Sequence, residues 1–130
     1  MLRGLLGVVA GLIAGVAVTM LTEMVGHTVY PPPAGVDFND PQVLKTIIGT
    51  IPLGAKIAVI VAWALGVFVG SAVAIVVAAR QSWPAWVTAF VLFAALATMT
   101  YIPHPDWMLA AATLLTLASA IAAAYMWARS

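Results

Sequence analysis

The chain has no cysteine, which excludes disulfides, thiolate metal sites and thiol catalysis. Charge is nearly as scarce: Asp, Glu, Lys and Arg make up 7% of 130 residues, and 65% are hydrophobic. With so few basic residues there is no patch to neutralise a nucleic-acid backbone, so nucleic acid is excluded as a partner. The glycine-rich phosphate loop, the G-x-S-x-G elbow and the H-E-x-x-H pair are all missing, and with them the common enzyme signatures.

What is present is long apolar runs. A mean hydropathy of +1.13 lies far from a typical soluble domain, and a bilayer core takes roughly 20 apolar residues to cross. Four stretches meet that length: 4–29, 53–79, 84–102 and 107–128. The expected fold is therefore all-α, a polytopic bundle of four transmembrane helices in one domain over 1–130. The first stretch follows Arg3 but is longer than a secretory signal core, and no small-x-small cleavage site precedes Glu23, so it is expected to stay in the protein.

With four spans, Arg3, Arg80 and Arg129 share one side with no acid among them. The positive-inside rule makes that side cytoplasmic and puts both termini there. Asp37, Asp40, Lys45 and Asp106 fall opposite, with Lys56 at the start of the second span. Trp83, Trp86 and Trp127 mark the inner boundary and Tyr30, Tyr101 and Trp107 the outer one, as interfacial belts do.

The longest loop opens on Tyr30-Pro31-Pro32-Pro33, where successive prolines lack the N–H a helix needs. Asn39-Asp40-Pro41 then reads as a cap followed by proline at the first helical position. Val43, Leu44, Ile47 and Ile48 repeat at helical spacing. A short helix on the outer surface is expected over about 41–50, either lying on the membrane or serving as a lid over the bundle.

Gly7, Gly11, Gly15, Thr19, Glu23 and His27 recur every four residues on the first span. Small residues at that spacing let another helix approach closely, and Gly66 with Gly70 offers a matching notch on the second span. The same stripe turns Glu23 and His27 toward the bundle. Glu23 lies 20 residues beyond Arg3, or about 30 Å along a helix, which places it at the outer rim of the hydrocarbon.

Ionisable residues inside a span most often carry function, so Glu23 and His27 are the first candidates. The turn Pro103-His104-Pro105-Asp106-Trp107 brings the second histidine and another acid to the same side. If Glu23, His27, His104 and Asp106 converge, they form a binding cluster. Glu23, His27 and His104 are its metal-ligand set, suited to zinc or another divalent first-row ion. Met20, Met24, Met99 and Met108 near the same end add a softer alternative, Cu(I). Against convergence, Glu23 and His27 would pair with each other, Asp106 would cap the last span, and His104 between prolines would only shape a turn.

The motifs Glu23-x-x-x-His27-x-x-Tyr30-Pro31-Pro32-Pro33-x-Gly35 and Pro103-His104-Pro105-x-Trp107 resemble those of a group of small bacterial four-helix membrane proteins of unknown function. The resemblance covers nearly the whole chain and implies a bacterial inner membrane, with no activity to carry over. Three functions stay open. The first is a non-enzymatic accessory or cation-binding module, working as a homo-oligomer or as a subunit of a larger membrane complex. The second is an oligomeric proton- or ion-coupled transporter or channel, although below Thr19 the first span offers an ion only glycine, alanine and aliphatics. The third is a metal-dependent enzyme at the outer interface, with His27 or His104 as base.

Overall fold

The structure is a computed structural model that describes residues 1–31, 34–35, 39–97 and 105–128. It is all-α: α1 (Leu2–Val29), α2 (Pro41–Ile48), α3 (Leu53–Val77), α4 (Trp83–Ala97) and α5 (Asp106–Trp127). Three of these, α1, α3 and α5, are long and apolar enough to cross a membrane, while α4 is apolar but shorter. The expected third span runs on to 102, and its residues 98–102 lie outside the described residues.

The bundle is organised around α3. Its neighbours are α1 on one face and α5 on another, with α4 laid against α1 and α3 and only lightly against α5. Among the described residues α1 makes no close backbone approach to α5, nor does α2 to any other helix. The faces of α3 explain this order. Small residues Ala62, Gly66, Gly70 and Ala74 make a shallow groove for α1, while Ile60 packs on Met108 and Ala112 of α5, and Val67 on Leu92 and Ala120.

The contact between α1 and α3 is made backbone to backbone. The buried residues of α1 are Gly4, Gly7, Gly11, Gly15 and Thr19. A Cβ on Gly11 would lie 2.5 Å from the Gly70 carbonyl oxygen, and one on Gly15 would lie 2.9 Å from that of Gly66. From the opposite helix, a Cβ on Gly70 would stand 2.7 Å from the Gly11 oxygen. These are closer than side-chain carbons come, so the two helices meet at a separation that only hydrogen at Cα allows. The pairing continues through Gly26 on Ala58 to Tyr30, whose phenol ring lies on Gly54. The two helices therefore run antiparallel, clasped along their length.

At the other end α3 closes in a Schellman turn. The Arg80 N–H donates to Ile75 O at 2.8 Å and the Ala79 N–H to Val76 O at 3.3 Å, the paired bonds that satisfy a helix's last carbonyls. This puts Ala79 at φ 55° and Arg80 at φ 72°, in the left-handed region where a Cβ is penalised. Arg80 then reaches across the bundle: its Nη1 donates to Trp127 O at 3.2 Å, a cation at the negative end of α5. Trp127 also meets Phe68 edge to face, with ring centroids 5.4 Å apart. Because glycine tolerates the left-handed region without strain, Ala79→Gly is expected to stabilise the fold by about 0.5–1 kcal/mol. A rise in thermal midpoint in detergent checks this, and a fall would contradict it.

Candidate functional site

Glu23 stands on the flank of the α1–α3 seam, between Thr19, packed on Gly66, and Gly26, packed on Ala58. The crossing of the two helices explains its half-buried state. The buried stripe drifts around α1, so the residue four beyond Thr19 falls at the edge of the contact and not in its centre. His27 lies one turn further on and is exposed. The two side chains interact electrostatically, as an i, i+4 pair on one helix face does. Thr19, Thr22 and Thr28 surround them but do not serve them: each hydroxyl donates to the carbonyl four residues back, at 2.9, 2.8 and 3.0 Å.

The other expected partners fall differently. Asp106 is on the same end of the bundle, since α5 runs parallel to α3 through the Ile60–Met108 and Val67–Ala120 contacts. It sits at the head of α5, and α3 stands between α5 and α1. Asp106 does not cap its helix either. Pro105 occupies the cap position without a side-chain bond, and Asp106 is exposed in the first turn, where its charge suits the helix dipole. His104 and Met99 lie outside the described residues. Among the described residues no three His, Asp or Glu side chains come together in a way that would hold a metal ion.

The methionines divide in two. Met20 and Met24 are exposed on α1 beside Glu23 and His27, whereas Met108 is buried between α3 and α5 against Ile60 and Ala112. Met108 fills a gap in the packing, a common use of a flexible thioether.

Two features have no counterpart in the sequence reading. Ser71 of α3 and Thr88 of α4 are fully buried, and among the described residues their hydroxyls have no hydrogen-bond partner. Thr88 Oγ1 points at the α1 seam, 3.1 Å from where a Cβ on Gly11 would be. A hydroxyl in an apolar helix usually bonds its own backbone, as Thr116 does to Ala112 O at 2.8 Å, so nothing in the sequence sets these two apart. The second feature is a half-open apolar groove of about 310 Å³ between α4 and α5, floored by Val67 and lined by Trp86, Phe90, Phe93, Thr113 and Leu117 among others. Its Thr113 hydroxyl is committed to Leu109 O at 2.8 Å, so the groove presents carbon.

Comparison with protein-family models, with curated proteins and with solved structures gives no match.

Proposed function

We propose that this chain is a small four-span protein of the bacterial inner membrane, both termini cytoplasmic, acting as a non-enzymatic binding or accessory module that takes a divalent cation at Glu23 and His27 on the extracytoplasmic face. The membrane reading is supported by where the apolar side chains go. Leu5, Val9, Ile13, Met20 and Leu21 of α1, and Leu114, Leu117 and Ile121 of α5, are exposed. A helix apolar all round belongs in a core or in lipid, and these faces have no protein core over them.

The observation that carries the site is Glu23 half-buried beside an exposed His27, one turn apart, at the end of a helix clamped to α3. A clamped helix holds the carboxylate and imidazole at fixed spacing, and neither is used up by a neighbouring hydroxyl. Two ligands leave a tetrahedral zinc ion two short. His104, a partner subunit or the same pair in a second copy would complete it. The transporter reading has less support, because the seam below Glu23 is closed by carbonyls set against glycine Cα atoms, which leaves no room for an ion beside α1.

The test is metal analysis of the purified protein together with zinc titration. Wild type is expected to retain zinc, and His27→Ala and Glu23→Gln are expected to bind it about tenfold more weakly or worse, since even outer-shell partners are worth that much. Binding is expected to weaken in acid, where the imidazole must give up a proton to bind. Equal metal content in wild type and both variants would sink the site.

A further inference from the structure

α4 is pinned at its first turn and loosely held beyond. The Trp83 ring lies on Gly4 of α1, its Nε1 donates to Gln81 Oε1 at 2.8 Å, and Pro84 and Ala85 are buried. Past Leu92 the packing gives out, and Phe93 and Ala94 are exposed in succession. Toward α5 the helix is met only lightly, and the half-open apolar groove of about 310 Å³ lies between the two. Protein interiors keep few voids larger than a water molecule, so on that side α4 has room to move.

On its other side the seat is frustrated. Thr88 lies by Gly11 and Leu92 by Gly15 of α1, while Gly11 meets Gly70 and Gly15 meets Gly66, so α4 runs antiparallel to α3. Leu92 packs on Val67, and one turn from that contact on each helix stand Thr88 and Ser71, the two buried hydroxyls without a partner among the described residues. Each has a carbonyl of its own helix four residues back, at Pro84 and Val67, the bond that Thr116 makes to Ala112 O. In this seat Thr88 Oγ1 is held against α1 instead, 3.1 Å from where a Cβ on Gly11 would be.

We propose that α4 is a hinged helix with two seats, pivoting on its first turn between the one seen here, against α1 and α3, and a second against α5 that closes the groove. Two seats exchange only if each has something in its favour. The present one has the packing of Leu92 on Val67 and Gly15. The second frees the Thr88 and Ser71 side chains to turn each oxygen to its own carbonyl, and fills the space beside Trp86, Phe90 and Leu117. Movement of α4 uncovers one flank of the α1–α3 seam at Gly11 and Gly15, below Glu23, so the bundle carries a cover over its tightest contact. The device does not depend on a cation at Glu23.

The absence of cysteine makes paired spin labelling clean. Val91→Cys on α4 with Leu114→Cys on α5 spans the groove, and Ile13→Cys on α1 with Val61→Cys on α3 spans the fixed seam, all at exposed positions. Distances between labels are measured by pulsed electron resonance in nanodiscs of phosphatidylcholine and phosphatidylglycerol. The groove pair is expected to give two distances several ångströms apart, and the seam pair one. Thr88→Val with Ser71→Ala removes what favours the second seat, and is expected to shift the groove ratio toward the longer distance by about fivefold, the equilibrium equivalent of one net hydrogen bond. An unchanged seam distance shows that the variant keeps its fold. A single groove distance in the unsubstituted background, as narrow as that of the seam, would overturn the proposal whatever the variant does. So would two distances whose ratio the substitutions leave unchanged or move toward the shorter.

Discussion

Gly11→Leu is expected to abolish the folded bundle, and Gly11→Ala to destabilise it by about 1–3 kcal/mol, the usual cost of overpacking. Even the single methyl of alanine would sit 2.5 Å from Gly70 O, 2.8 Å from the Ala74 Cβ and 3.1 Å from Thr88 Oγ1. Two of these belong to α3 and one to α4, so no single side chain can swing aside. The helices must part, and parting at Gly11 loosens the contacts at Gly7 and Gly15 on either side. Alanine's better helix propensity, worth about 1 kcal/mol, offsets part of this cost but not the collision. Leucine adds further carbons with nowhere to go. On the proposed reading of these helices as spans, lipid supplies no hydrophobic drive to hold them together, and close packing is what remains, so the loss is not made good elsewhere. Gly49 supplies the control: among the described residues nothing lies within 4 Å of its Cβ position and its φ is −66°, so Gly49→Ala is expected to be neutral or stabilising by about 0.5 kcal/mol. Reversible unfolding in mixed detergent micelles reads all three. Gly11→Ala as stable as wild type would rule out the backbone contact.

Removing hydroxyls should have the opposite sign. Thr88→Val keeps the shape of a fully buried side chain and deletes an oxygen with no hydrogen-bond partner among the described residues, and Ser71→Ala does the same on α3. A buried polar atom without a partner costs about 1–3 kcal/mol, so each substitution is expected to raise stability by about 1 kcal/mol and the pair together by more. Val carries the branching of Thr and fits the same rotamer, which keeps the comparison to the hydroxyl alone. The measurement is the same unfolding curve. A drop in stability for either variant would mean that the hydroxyl is satisfied in the folded protein, by water or by its own helix, and would remove the reason for regarding the site as frustrated.

The site was less legible in the sequence than the fold class. Four-residue spacing placed Glu23 and His27 on the stripe that continues Gly7, Gly11 and Gly15, yet the structure makes one half-buried and the other exposed. The spacing describes an ideal helix, and the crossing of α1 over α3 carries the contact gradually off that stripe. Loop adjacency put Asp106 within imagined reach of Glu23, but the order of helices around α3 sets α5 and α1 on different faces. Ser71 and Thr88 look in sequence like any hydroxyl in an apolar run, and only their packing shows which oxygens find a carbonyl.

By itself the sequence determined the all-α class. Runs this apolar leave the backbone no side-chain or solvent partner for its N–H and C=O groups, and a helix satisfies them within the run. It also determined where α1 stops, through the prolines after Tyr30, and where α2 starts, through Asp40–Pro41. Tertiary structure alone decided that α3 is the centre, that α1 meets it through bare backbone, that α2 stands apart, and that Glu23 keeps His27 but not Asp106 at its side. The reason is geometric: periodicity fixes a residue's angle about its own helix axis, while its neighbour depends on which helix packs opposite and at what crossing, and that is set by the shapes of both surfaces together.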